Sequence, residues 1–203
     1  MSKRFLFFGT GANFTIAVIN RLIALNRLPF AIVVPEYPPI RSDTRFPVEL
    51  PSKENPLIKK ADEINIKTLY LPQMDQSGLI QQLDGIDIDF ILVACWPYLL
   101  SKEVCLLAGK AALNLHPSLL PKFRGANPVE QQLATEDREF GASLHYLNDR
   151  FDRGDIVKQV SFTINDSEDL ANIEKRAAQI GADLFNTAIE EFGTRAWQPV
   201  KQQ

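Results

Sequence analysis

Two histidines occur in the 203 residues, and one of them, His116, stands two positions after Asn114. The stretch 111–115 reads as a short strand, so Asn114 and His116 project to one side at its carboxyl end. In an open α/β sheet that edge is where ligands gather. An Asn amide donates a hydrogen bond to a developing oxyanion, and a His donates or relays a proton. The same two residues would equally serve to tie down the loop that follows. A second cluster, Asn148-Asp149-Arg150-Phe151-Asp152-Arg153-Gly154-Asp155, falls between two strands. Its composition is that of a solvated turn. Its other use is to supply a carboxylate that orients a histidine and raises its pKa. A third group, Gly9, Thr10, Gly11, Ala12 and Asn13, follows a strand and opens a helix, as a phosphate- or carboxylate-holding turn does. Glu36, just past the next strand, brings it close to a dinucleotide fingerprint. Phe14, however, stands where that fingerprint needs Gly or Ala.

The elements that must position these groups alternate. Apolar runs at 5–8, 30–34 and 88–94, and the stretches 67–71 and 111–115, read as strands. Helical spacing covers 14–25, 57–64 and 77–83, and Ser101 caps a helix running to about Ala108. Strand, glycine turn, helix and strand make a βαβ unit, and its repetition predicts an open, mostly parallel α/β sheet. The last third changes style. Strands at 141–147 and 156–164 flank the acidic cluster, and Asp166-Ser167-Glu168-Asp169 opens a helix reaching about Phe192. Its acidic first turn would suit the positive end of the helix dipole. Trp197–Val200 adds a short extended stretch that Pro199 confines to an edge. Between Pro35 and Pro56 the chain carries six of its thirteen prolines, which excludes helix and central strand there. That loop is either functional or a plain surface excursion. Its positive and negative charges nearly balance, so it makes a poor phosphate clamp.

Composition narrows the class. The chain has the length of one domain with a sizeable core. Hydrophobic residues make up 45% and charged residues 23%, which excludes disorder as the main state. A net charge of −3 is not the footprint of a protein living on nucleic acid or anionic membrane. The N-terminal apolar stretch is too short for a signal peptide or a membrane span, and a soluble cytoplasmic protein is expected. Cys95 and Cys105 are too few for a disulfide framework, lack zinc-ligand spacing and read as core, so no metal is expected. No G-x-S-x-G elbow is present.

Asn114-Leu-His116-Pro-Ser118-Leu119-Leu120-Pro121, followed by Lys122-Phe-Arg124-Gly125, resembles the N-x-H-x-S-L-L-P signature of the folate-dependent formyltransferases. Asp152-Arg153-Gly154-Asp155-Ile156 is similar to that family's D-x-G loop, and Gly141-Ala-Ser-Leu-His145 to the G-x-[ST]-x-H segment leading into it. The resemblance covers most of the chain. It implies a Rossmann-like, doubly wound, mostly parallel sheet with helices on both faces, forming a single catalytic domain. It implies formyl transfer from 10-formyltetrahydrofolate to a primary amine, with Asn114, His116 and Asp152 as the catalytic trio. Asn114 and a protonated His116 would stabilise the tetrahedral oxyanion, and Asp152 would hold and charge the imidazole. By the same resemblance the folate lies across Pro97, Tyr98, Leu99 and Leu100, across Ser118, Leu119, Leu120 and Pro121, and against Asn148 and Phe151. Trp96 and Phe151 suit the faces of a flat ring.

The stretch Phe-Arg-Gly-Ala-Asn-Pro looks most like the methionyl-tRNA formyltransferases and their amino-sugar relatives. The turn at Gly9–Asn13 instead resembles the glycinamide ribonucleotide enzymes, where it holds the acceptor's phosphate. The expected acceptor is therefore an aminoacyl-tRNA or a small amine such as an amino-sugar nucleotide. A single catalytic domain without the C-terminal barrel of the tRNA enzymes is expected, and the net charge favours the small acceptor. Hydrolysis of the folate, or folate binding without turnover, are the other readings of the same motifs.

Overall fold

Phe5–Gly9 forms β1 with all five residues buried, as a strand covered on both faces requires. α1 (Asn13–Ala24) buries Phe14, Val18, Ile19 and Leu22 at helical spacing. β2 (Ala31–Glu36) then returns parallel to β1. The computed structural model describes residues 3–36, 55–165 and 167–202. The middle of the proline-rich segment therefore lies outside the described residues, and with it any role that loop has toward an acceptor. Its two ends differ from the expectation. Pro35 and Glu36 belong to β2, and Pro56 is the first residue of α2 (Pro56–Glu63). Proline is tolerated at the end of β2 because pairing with β1 stops at Val33, leaving β3 alone alongside. At α2 the ring sits where a helix has no use for the missing N–H, and Asn55 caps Leu57 N at 2.8 Å.

β3 (Lys67–Pro72), α3 (Ser77–Gln82), β4 (Ile88–Ala94), α4 (Lys102–Cys105), β5 (Ala108–His116) and α5 (Pro128–Leu133) follow. β6 (Glu139–Tyr146), β7 (Ile156–Thr163) and α6 (Leu170–Glu191) complete the order. The seven strands lie in the order β3-β2-β1-β4-β5-β6-β7. The pairs from β3 to β5 are parallel, and β6 and β7 are antiparallel additions. The chain winds outward from β1 to β3, then returns to β4 on the other side of β1. The carboxyl ends of β1 and β4 therefore splay at a topological switch point. Alternation along β1 divides the core. Phe5 and Phe7 join α1, α2 and α6 on one face, and Leu6 and Phe8 join α3 and α4 on the other. Among the described residues, no helix is long and apolar enough to cross a membrane.

Three elements depart most from the expectation. The helix after Ser101 is only four residues long, although Ser101 caps it as expected, and β5 begins already at Ala108. α5 was not legible: it is short, and it starts after Asn127 in the left-handed region, at φ 55°. α6 begins after its acids rather than on them. Asp169 is the cap, accepting from Asn172 N at 2.8 Å, which contributes about 1 kcal/mol.

Candidate active site

β5 is the longest strand, and its neighbours β4 and β6 flank both sides of its carboxyl end. Asn114 and His116 lie two positions apart on it and so share a face, as expected. The antiparallel register places His145 of β6 opposite Asn114, and Ser143 opposite His116. Asp152 arrives from the loop between β6 and β7, with its backbone left-handed at φ 54°. The four side chains meet. Asn114 Nδ2 donates to Asp152 Oδ1 at 3.2 Å and to His145 Nε2 at 3.0 Å. His116 Nδ1 stands 3.5 Å from Asp152 Oδ1, and His145 Nε2 stands 3.4 Å from the same oxygen. Gly125 N donates to Asp152 Oδ2 at 2.9 Å.

Hydrogen bonding assigns the protons. A carbonyl only accepts, so His116 Nε2, 2.8 Å from Phe123 O, carries hydrogen. In the neutral ring the lone pair is then on Nδ1, facing Asp152. His145 Nδ1 likewise donates to Tyr146 O at 2.8 Å, leaving Nε2 to accept from Asn114. Burial pushes the His116 imidazole below its ordinary value of 6.5, against the Asp152 carboxylate and the Phe123 carbonyl. Burial alone would raise Asp152. In the acid range where it titrates, the facing His145, the charge that His116 then carries and the Gly125 N–H outweigh burial and hold the carboxyl below 3.8. The resting pair at neutral pH is thus a carboxylate beside a neutral histidine with a free basic nitrogen.

These groups line a cavity of about 620 Å³ at the carboxyl edge of the sheet. Pro97, Tyr98, Leu99, Leu100, Asn148 and Phe151 form part of its wall, together with Trp96. Trp96 packs edge-on against Phe8 and Tyr98, with ring centroids 5.3 and 5.1 Å away, so it is a rigid wall. Its indole Nε1 is buried without a hydrogen-bond partner. Ser118, Leu119, Leu120 and Pro121 do not reach the cavity wall. They brace it from behind: Ser118 Oγ donates to Lys122 O, and Leu120 N to Ser143 Oγ. Of the first turn, Thr10 lines the cavity, whereas Gly9, Ala12 and Asn13 do not. Gly11 also stays away from it. An added Cβ there would stand 2.9 Å from Pro56 and 3.0 Å from Asn55, so this glycine lets the turn pack against α2.

Four residues at the site were not singled out from sequence. His145 was seen only as part of a motif, and its partner became visible through strand register. Arg124 and Gly125 were seen only as signature residues. Glu174 of α6 reaches the cavity wall, its carboxyl raised by burial and by Glu130. Both cysteines are half-buried and line the cavity, and Cys95 also packs against the core as expected. Burial lifts the Cys95 thiol to about 11, so it is no nucleophile at neutral pH.

A sequence profile described as formyl transferase matches residues 3–189. Methionyl-tRNA formyltransferase of Helicobacter pylori is 33% identical over 151 residues, covering 74% of this chain and 48% of that protein. Its counterpart in Staphylococcus aureus is 27% identical over 187 residues, covering 92% of this chain and 57% of that protein. The chain spans about half the length of these relatives. Among solved structures, phosphoribosylglycinamide formyltransferase from Bacillus halodurans superposes with a TM-score of 0.70 at 20% identity, covering 93% of this chain and 94% of that one. A formyltetrahydrofolate deformylase from Pseudomonas syringae gives 0.71 at 16% identity, covering 100% of this chain and 67% of that one. Those two likenesses establish the doubly wound fold. The profile match runs through the whole cluster of Asn114, His116, His145 and Asp152, and this chain belongs to the formyl transferase family.

Proposed function

We propose that this chain transfers a formyl group from 10-formyltetrahydrofolate to a primary amine, with Asn114, His116 and Asp152 as its catalytic residues. The observation that carries this reading is the meeting of all three side chains, within 3.5 Å of Asp152 Oδ1, at the wall of one cavity. The apolar wall of Trp96, Tyr98, Leu99 and Phe151 fits a flat pterin ring, and the unpartnered Trp96 N–H is a donor that a ligand acceptor would satisfy. Residues 118–121 then act by shaping this pocket from behind. Thr10 and Glu174, where α1 begins and α6 reaches the cavity, bound the acceptor's side.

The amine nitrogen attacks the formyl carbon, and a C–N bond forms as the carbonyl oxygen becomes an oxyanion. Asn114 offers its amide N–H to that oxygen, giving up one of its two resting contacts. Neutral His116 takes the amine's proton on Nδ1, and the Asp152 carboxylate stabilises the imidazolium so formed. His116 then returns that proton to the folate nitrogen as its bond to the formyl carbon breaks. The products are tetrahydrofolate and the formylated amine. The sequence-based expectation had a protonated His116 stabilise the oxyanion; the burial of the ring favours a neutral base that takes up its proton during the reaction.

Relatives named methionyl-tRNA formyltransferase favour an aminoacyl-tRNA acceptor. The net charge of −3 favours a small one, such as an amino-sugar nucleotide or glycinamide ribonucleotide. A turnover screen over charged initiator tRNA and these two small amines decides between them. Release of tetrahydrofolate with one acceptor, lost in Asp152→Ala, is the expected result. Release with water alone would make the chain a hydrolase. Folate binding with no release under any condition would sink the catalytic reading.

A further inference from the structure

Asp152 is the one member of the trio that no strand carries, and three consecutive residues hold it and its histidine. Phe123 O accepts from His116, Arg124 Nε donates to the main-chain oxygen of Asp152 at 3.2 Å, and Gly125 N donates to its carboxylate. Arg124 is in turn gripped from the far side. Its Nη2 and Nε donate to Gln202 Oε1 at 2.7 and 3.2 Å. Gln202 Nε2 donates to Gly154 O at 2.6 Å, two residues beyond Asp152. One amide side chain thus joins both halves of the site, the segment after β5 and the loop after β6.

The segment after α6 is itself anchored. Trp197 packs edge-on against Phe192 and Tyr146, and its Nε1 donates to Tyr146 Oη at 3.0 Å. Val200 and Ile156 exchange two backbone hydrogen bonds of 2.8 Å. The loop has little slack on its other side. A Cβ on Gly154 would stand 1.8 Å from Tyr146 O, so the backbones there are already in contact. Asp152 in the left-handed region costs on the order of 1–2 kcal/mol, and such a conformation persists only where its surroundings impose it.

We infer that Gln202, through Arg124, is a positioning residue for Asp152: the segment after α6 completes the active site by clamping the loop that carries the carboxylate. The inference rests on the proposed role of Asp152. Hydrogen exchange of residues 148–155 reads the clamp without reference to turnover. Gln202→Ala is expected to speed that exchange at an unchanged melting temperature. It should lower kcat about tenfold with little change in KM for the formyl donor, since small displacements of a reacting group cost that much or more. The acid limb of the kcat profile should shift as well, because His116 loses a well-placed carboxylate. Gln202→Glu keeps the acceptor for Arg124 and loses the donor to Gly154, so it should recover part of kcat. Exchange and pH profile both as in the wild type would overturn the inference, as would faster exchange with kcat and its pH profile unmoved. Asp152→Asn separates the two readings. Full activity in that variant would remove the proposed role of Asp152 and the positioning role with it, whatever the exchange shows.

Discussion

Asn114 and His116 are held differently from Asp152, although all three meet at one point. The first two belong to β5, which is paired on both sides and covered by core. Leu115, between them, is buried and packs against Gly181 of α6. Their directions follow from strand register, which cannot shift by one residue without turning every core side chain outward. Asp152 belongs to a loop, with a left-handed backbone and contacts made mainly by hydrogen bonds. The strand-borne groups are therefore secured by the stability of the whole domain. The loop-borne group is secured by a few local bonds, so its position can change while the fold survives.

That contrast can be broken from either side. The largest effect is expected at the carboxylate: Asp152→Asn should lower kcat about a thousandfold, because the His116 imidazolium of the proposed mechanism then forms without the carboxylate that orients and stabilises it. Its circular dichroism and melting should stay close to wild type. Leu115→Ala attacks the strand instead. It should cost about 2–5 kcal/mol of stability in denaturant titration, with kcat of the folded fraction nearly unchanged. If that variant loses activity without losing stability, the division of labour is wrong. Gly154→Ala should displace the loop against Tyr146 and lower kcat about a hundredfold, with a much smaller effect on unfolding.

Acidity tests the same pair. His116 and Asp152 both have folded pKa values below their ordinary 6.5 and 3.8. The unfolded chain therefore binds more protons in the acid range. The stability each confers is complete above its ordinary value and is lost as pH falls through the depressed folded one. Turnover should fall along an acid limb below pH 6.5 as His116 takes a proton, and His116→Ala should abolish that limb with most of the activity. Turnover that rises as pH falls below 6.5 would contradict the neutral-base role. The smallest effect belongs far from the site. Asp169→Ala removes the α6 cap and should cost about 1 kcal/mol with no change in kcat.

Much of the frame was legible in the residues. Continuous apolar runs revealed β1, β2 and β4, because a strand buried on both faces has no polar side to show, whereas β3 at the sheet edge alternates. The N-x-H spacing placed Asn114 and His116 on one face for the same geometric reason. What stayed hidden depended on contacts between distant segments. His145 became a partner of Asp152 only through the antiparallel register of β5 and β6. Ser118 and Leu120 look like ligand contacts in a motif, yet they bond to Lys122 and Ser143 and shape the wall from behind. Glu174 and Gln202 carry no local pattern at all. They reach the site because α6 crosses the sheet and the following segment returns to Ile156.

The sequence by itself determined the alternation of strands and helices and the identity of the strand-borne pair, since these follow from period, length and local turn chemistry. Tertiary structure decided which nitrogen of His116 is basic, because that depends on a carbonyl seven residues away and on burial. It also decided how Asp152 is held. A loop has no periodicity to read, and its geometry is the sum of bonds from Arg124, Gly125, Asn114 and, through Arg124, Gln202. Those partners come from separate parts of the chain, and only folding brings them to one carboxylate.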